Sequence, residues 1–324
     1  MGPSGRRDAR FYAITHMEQP RILPYMACPA CKAASLRVVS REIRCSICPR
    51  AYPVAAVGGE DMANWIPDDG SAHVNPVIRL WRHLMAHSSK GIDALVKDPH
   101  IFDFSDTEYA SYRVSGARIL DVGGNGGELR RYLDSSQEYV CLEPDPSAYA
   151  RRNVLAVASP GLEKPFTFVR GVAEYMPFRA ASFDAVVMHS VLEHLFDLNM
   201  AFGEAYRVMR SGGLLFIASD FHGAVDRSTR VSPLAKFVRY VRGNGSFSAV
   251  RRAVGRIVFN IRRTCNPWRA MVDFSEPQLE SGHVYDNLTG DDILDLAGRA
   301  SFELKRSFPV GTSTIFIFSK KQYA

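Results

Sequence analysis

Between Arg118 and Leu133 the chain reads RILDVGGNGGELRRYL: an apolar run ending in Asp121, a glycine-dense loop, then a helical pattern. A strand that ends in a carboxylate and turns through glycines into a helix forms half of a nucleotide-binding site. Backbone can approach a ligand closely there because Gly123, Gly124, Gly126 and Gly127 carry no side chain. The spacing narrows the class of nucleotide. A dinucleotide fingerprint needs glycines at its first, third and sixth positions, and neither start satisfies it: Gly123 leads to Asn125 and Glu128, and Gly124 to Gly126 and Leu129. A phosphate loop fails too. No Gly-Lys-Ser/Thr comes after it, and Glu128 would oppose a phosphate at the positive helix end.

Further along, apolar segments recur as strands between helices. Tyr139 to Leu142 forms a short strand ending at Glu143, twenty-two residues beyond Asp121, before the turn Pro144-Asp145-Pro146. A carboxylate at the end of a second strand is placed to accept from both ribose hydroxyls. Strands three and four are read within the runs Phe166 to Phe178 and Ser182 to Leu195, and strand five at the end of the run Phe202 to Ala218. A helix from Phe202 precedes the last, with Gly212 and Gly213 expected to close it. Alternation of apolar strands with amphipathic helices predicts an α/β fold with a doubly wound, mostly parallel seven-stranded sheet. Leu288 to Phe302 reads as a penultimate helix and Phe308 to Lys320 as a terminal hairpin.

Asp121 to Gly127 fits Asp-apolar-Gly-x-x-x-Gly, and the chain resembles the class I S-adenosylmethionine-dependent methyltransferases. Its wording is similar to the subfamily that includes ubiquinone-biosynthesis enzymes, through Gly171-Val-Ala-Glu174, Met176-Pro-Phe178, Ser182-Phe-Asp184, Glu193-His-Leu195 and Ser211-Gly-Gly213. The resemblance implies that Asp121, Gly123, Gly124, Asn125 and Gly127 hold the methionine end of S-adenosylmethionine. By the same token Glu143 and Pro144 hold the ribose, and Val172, Ala173, Glu174 and His189 complete the cofactor site. Two departures stand out. Asn125 occupies the usual central glycine, a position asparagine tolerates because it enters left-handed backbone readily. Val172 replaces the family's adenine-binding Asp, leaving the Ala173 N–H or Glu174 to serve.

Near the start stands CPACKAASLRVVSREIRCSICPRAYPV, with Cys28, Cys31, Cys45 and Cys48 in the order C-x2-C, thirteen residues, C-x2-C. Two such knuckles let four thiolates converge on Zn²⁺ around a hairpin from Leu36 to Arg44. A site closed by four cysteines is structural, since it keeps no open position for water. Paired CxxC redox motifs are the alternative, without a thioredoxin-like βαβ pattern around them. Residues 23–67 resemble the small zinc-ribbon activator subunit of tRNA and release-factor methyltransferases. Sugar C-methyltransferases likewise join N-terminal zinc cysteines to an Asn-containing loop. The expected organisation is a ribbon in 1–67, a helical linker or cap in 68–116 and a methyltransferase domain in 117–324, with a helical insertion in 221–286.

The net charge of +6 is concentrated in that insertion. From Val225 to Met271 eleven cations face the single acid Asp226: Arg227, Arg230, Lys236, Arg239, Arg242, Arg251, Arg252, Arg256, Arg262, Arg263 and Arg269. Val250, Ala253, Val254, Ile257, Val258 and Ile261 recur there at helical spacing, so the segment reads as a basic amphipathic helix. A substrate lid is the preferred reading, with contact to an anionic membrane surface or to RNA as the others. A second helical pattern, Val77 to Leu95, is expected to cap the cofactor. The chain contains no apolar run of about twenty residues and no signal-peptide core, and the paired cysteines suit a reducing compartment, so a cytoplasmic location is expected.

In an open parallel sheet the ligand lies beyond the carboxyl ends of the strands. Candidate proton acceptors are therefore His189 and His194 after strand four, and Asp220, His222 and His283 in or beside the insertion. No single base is selected among them, because only an acceptor that must lose a proton needs one. The expected reaction is methyl transfer to a small-molecule, glycan or natural-product acceptor, with O-methylation favoured and an anionic or carrier-linked acceptor preferred. An rRNA or tRNA methyltransferase and a non-catalytic binding subunit are the alternatives.

Overall fold

A computed structural model describes residues 23–57, 60–66, 110, 112, 114–145, 148–149, 164, 166–219, 288–311 and 313–321. Four strands, β1 (Leu36–Val39), β2 (Glu42–Cys45), β3 (Ala51–Val57) and β4 (Glu60–Ala63), pair in order as an antiparallel sheet. The larger sheet is the expected seven-stranded, mostly parallel one. It is built from β5 (Arg118–Val122), β6 (Glu138–Leu142), β7 (Thr167–Val169), β8 (Phe183–His189), β9 (Met209–Ser219), β10 (Phe302–Val310) and β11 (Ser313–Lys320). Its order is β10-β11-β9-β8-β5-β6-β7, with β9 to β7 parallel and β11 antiparallel to both neighbours.

The chain winds outward through β5, β6 and β7, then returns to place β8 on the other side of β5. Such a reversal opens a crevice at the carboxyl ends of β5 and β8. Strand periodicity assigns the two faces of the sheet. Leu120, Val122, Val140, Leu142, Val186, Met188, Leu215 and Ile217 enter one buried cluster, whereas Ile119, Tyr139, Cys141, Ala185, Val187, Phe216 and Ala218 enter the other.

Helix α1 (Leu198–Val208) starts at Asp197, whose side chain accepts from the Met200 N–H at 3.0 Å, and α2 (Gly290–Arg299) starts in a Thr289–Asp292 capping box. Ala201, Phe202, Ala205 and Val208 of α1 and Ile293, Leu296 and Ala297 of α2 are buried in the first cluster. Among the described residues, no helix is long and apolar enough to cross a membrane.

Three local expectations are corrected. Gly212 and Gly213 do not close the helix: α1 ends at Val208 and both glycines lie inside β9. A Cβ at Gly213 would come within 2.9 Å of the Asp184 carbonyl oxygen, so the glycine allows two backbones to approach closely. The segment after the glycine loop is a five-residue 3-10 helix, Glu128–Tyr132. The terminal hairpin begins at Phe302, because β10 pairs with β11 over its whole length. The Val77–Leu95 pattern and the basic insertion lie outside the described residues.

The small sheet docks on the first face of the large one. Met26 bridges Phe178 and Asn64 bridges Arg170, while Ala27 N–H donates to the Pro177 carbonyl at 2.9 Å and Trp65 N–H to that of Arg170 at 3.0 Å. Met26, Ile43, Tyr52 and Trp65 share one buried cluster with β5, β8 and α1. Across the seam, Lys32 pairs with Glu204 at 2.6 Å, and Arg207 binds the same carboxylate while donating to the carbonyls of Met176 and Phe178. The charges of Lys32 and Arg207 are thereby both paired with that of Glu204.

Candidate cofactor site and metal centre

Asp121 is the penultimate residue of β5, with its carboxylate turned inward, 1% exposed. Tyr139 donates to Oδ2 at 2.5 Å, whereas Oδ1 is buried without a hydrogen-bond partner among the described residues. Such an orphaned acceptor fits a donor brought by a ligand, since an unmade buried hydrogen bond is costly. Burial is the main reason the Asp121 carboxyl is pushed up to about 8; the Tyr139 hydrogen bond opposes it and the charges of Glu128 and Glu143 add to it.

The glycine loop packs over this carboxylate. A Cβ at Gly124 would lie 2.5 Å from Asp121 Oδ2, and one at Gly123 would lie 2.4 Å from Val191, just past β8. The loop is thereby seated at the crevice. Asn125 adopts φ 49, the left-handed conformation that its side chain tolerates. Its N–H donates to Glu143 Oε2 at 3.3 Å, and Glu143 Oε1 accepts from the Asp145 N–H at 2.9 Å. These two bonds orient the Glu143 carboxylate beside the loop. Pro144 is half-buried, with its carbonyl 3.4 Å from Arg170 Nε.

Val172 and Ala173 are buried where a 3-10 turn, Ala173–Tyr175, follows β7. Glu174 is buried, and its Oε1 accepts from the N–H groups of Phe196 at 2.8 Å and Asp197 at 3.4 Å, just ahead of α1. Burial raises its pKa and those amide bonds lower it. The carboxylate thus joins the β7 loop to the start of α1, satisfying amides that the helix cannot.

His189 ends β8, buried, with its Nδ1 hydrogen-bonded to the Tyr112 hydroxyl, and the Tyr112 ring packs on Phe216. His194 is exposed in the 3-10 turn Leu192–His194. The structure therefore separates the two described histidine candidates into one buried pair and one surface group. Asp220, His222 and His283 lie outside the described residues. Tyr139, Tyr112 and Arg130 are absent from the site expected on sequence. Only Tyr139 leaves a legible signal: it stands two residues before Cys141, the partner of Asp121 across β5 and β6, and so shares its face.

The sulfur atoms of Cys28, Cys31, Cys45 and Cys48 all lie within 4.8 Å of one another, with Cys28 to Cys48 and Cys31 to Cys45 each at 3.6 Å. Tetrahedral Zn–S bonds of about 2.3 Å would set sulfurs roughly 3.8 Å apart, so the cluster fits zinc. The N–H groups of Ile47 and Cys48 point to Cys45 Sγ at 3.4 and 3.5 Å, and Tyr52 lies 3.0 Å from Cys28 Sγ. Such bonds orient the ligands.

Sterol 24-C-methyltransferase of Schizosaccharomyces pombe is 27% identical over 198 residues, 56% of this chain and 49% of that protein. A ubiquinone/menaquinone biosynthesis C-methyltransferase of Agrobacterium fabrum is 32% identical over 133 residues, 40% of this chain and 49% of that protein. The crystal structure of Burkholderia thailandensis 1,6-didemethyltoxoflavin-N1-methyltransferase with bound 1,6-didemethyltoxoflavin and S-adenosylhomocysteine is similar at 14% identity and a TM-score of 0.46, covering 84% of this chain and 96% of that one. The chain spans about half the length of the curated relatives it matches. Residues 120–217, which run from β5 through the glycine loop to β9, match the family described as a methyltransferase domain.

Proposed function

We propose that the chain is an S-adenosylmethionine-dependent methyltransferase whose acceptor is a small molecule. The observation that carries this reading is the pair of carboxylates at the ends of adjacent parallel strands, Asp121 in β5 and Glu143 just past β6, with the glycine loop bound to Glu143 through the Asn125 N–H. When bound, S-adenosylmethionine supplies an electrophilic methyl group on a sulfonium.

The chain's own residues bind and orient. Asp121 Oδ1 and the loop backbone suit the amino-acid end, Glu143 suits two vicinal hydroxyls, and the buried Val172–Ala173 turn suits an apolar ring. Holding the reactants together in a dry crevice is the enzyme's main contribution to such a displacement. His189, fixed by Tyr112, is the described group placed to hold a proton at the end of β8.

Carbon is the acceptor atom favoured here, in place of the oxygen expected from sequence, because both relatives are named C-methyltransferases. Cys28, Cys31, Cys45 and Cys48 would hold structural zinc, and the ribbon, the 68–116 linker and the 117–324 domain with its insertion remain the proposed organisation.

Calorimetry of the zinc-loaded protein with S-adenosylhomocysteine tests the cofactor reading. Binding lost on Asp121→Ala and on Glu143→Ala supports it, and no binding by the wild type overturns it. Labelled-methyl transfer to a small-molecule extract versus total RNA tests the acceptor, and label in RNA alone overturns the small-molecule reading.

A further inference from the structure

Arg130 lies just beyond the glycine loop in a short 3-10 helix, yet it is only 2% exposed. A guanidinium is seldom buried this fully unless it is held by partners. Its Nη1 donates to the Gly126 carbonyl at 2.7 Å, and its Cζ lies over the Phe166 ring, 4.3 Å from the ring centre. Both contacts are directional, and arginine suits such a combined hydrogen-bonding and stacking site better than lysine.

The same guanidinium explains a glycine. Gly127 adopts φ +84, and a Cβ there would stand 2.5 Å from Arg130 Nη1. The Gly127 N–H in turn donates to the Gly124 carbonyl at 2.7 Å. Arg130 therefore fills the space under the loop and fastens the Gly126 carbonyl.

The loop needs such a brace for two reasons. Its central position holds Asn125 in left-handed backbone, a conformation that costs a non-glycine residue more than glycine. The loop also leads into a 3-10 helix of only five residues, so no long helix end fixes it or supplies a strong positive dipole.

We propose that Arg130 is the positioning residue of the cofactor loop, holding the Gly123–Gly127 backbone in the shape that receives the amino-acid end of the cofactor. The inference rests on the cofactor reading above. The adenosine half would be held by Glu143 and the Val172–Ala173 turn, which Arg130 does not touch through these contacts. Its loss should therefore act most on the amino-acid end, reaching Glu143 only indirectly through the Asn125 N–H.

The test uses the zinc-loaded full chain as wild type, Arg130→Met and Arg130→Lys, titrated calorimetrically with S-adenosylhomocysteine and with adenosine. Amide exchange of residues 123–127 is measured without ligand. Arg130→Met should weaken S-adenosylhomocysteine about tenfold or more, and adenosine by a clearly smaller factor. Exchange in the loop should rise, with Arg130→Lys restoring part of both effects. Unchanged S-adenosylhomocysteine affinity in Arg130→Met overturns the proposal, and so do equal losses for the two ligands, which would mark a general loss of structure. If the wild type binds neither ligand, the cofactor reading fails separately, and loop exchange unaltered by Arg130→Met would still overturn the bracing role.

Discussion

The Tyr139 hydroxyl donates to Asp121 Oδ2 at 2.5 Å across adjacent parallel strands, inside a site that burial makes hostile to the charge it supports. An unfolded aspartate ionises near pH 4, whereas folded Asp121 titrates at about 8. Between those values the unfolded chain has released this proton and the folded chain keeps it. The Asp121 contribution therefore makes stability fall as pH rises from about 4 to about 8, and level off above. In thermal melts without cofactor, Asp121→Asn should gain on the wild type across that interval, by roughly 5 °C or more at pH 8. A difference that stays constant between pH 5 and pH 8 would contradict the assignment.

Gly124 is restricted by contact rather than by backbone conformation. A methyl group there would meet Asp121 Oδ2 at 2.5 Å and Cys141 Sγ at 3.0 Å. Gly124→Ala should cost about 1–3 kcal/mol in denaturant unfolding, because the crowded carboxylate and thiol are both buried. It should also abolish detectable S-adenosylhomocysteine binding. Unaltered stability and binding would show that the loop relaxes without cost.

Glu174 carries a structural duty that its place in the motif conceals. Its carboxylate oxygen serves two amides at the entry to α1. Glu174→Ala should destabilise the fold by about 1–3 kcal/mol, as expected when buried donors lose their acceptor. Glu174→Gln keeps an acceptor and should lose less than half as much. Equal losses in denaturant titrations would point to the charge instead of the hydrogen bonds.

Metal removal should reach beyond the small sheet. Cys28 and Cys45 lie in the same buried cluster as Trp65, Phe178 and Phe202 of the seam and α1. A zinc chelator should lower the melting temperature of the large sheet as well as the ribbon, read by far-ultraviolet dichroism and tryptophan fluorescence together. Metal binding contributes directly to the folding free energy of such sites. A ribbon transition that leaves the main transition unmoved would separate the two parts.

Strand ends are legible in the sequence because each carries a local signature. Asp121, Glu143 and His189 close apolar runs, and a strand buried on both faces has little freedom in where its polar terminus falls. Elements whose limits depend on distant partners are less so. Local pattern carries the helix before β9 on to Gly212 and Gly213, because glycine commonly ends helices, but Gly213 serves the approach of β9 to Asp184. The structural duty of Glu174 is hidden for a similar reason: the motif shows the carboxylate but not the amides of Phe196 and Asp197, twenty-two and twenty-three residues away.

By itself, the sequence determined the parallel sheet, the loop seated at its crevice and the four converging thiols. Each comes from short-range spacing, which sets side-chain direction along a strand and ligand geometry in a knuckle. Only the tertiary structure decided the rest: that the ribbon shares a core with the sheet, that Tyr139 meets Asp121 and Tyr112 meets His189, and that Arg130 lies beneath Gly127. The reason is that a buried polar group must be satisfied by whatever the fold brings beside it, and those partners come from other elements, beyond the reach of any local pattern.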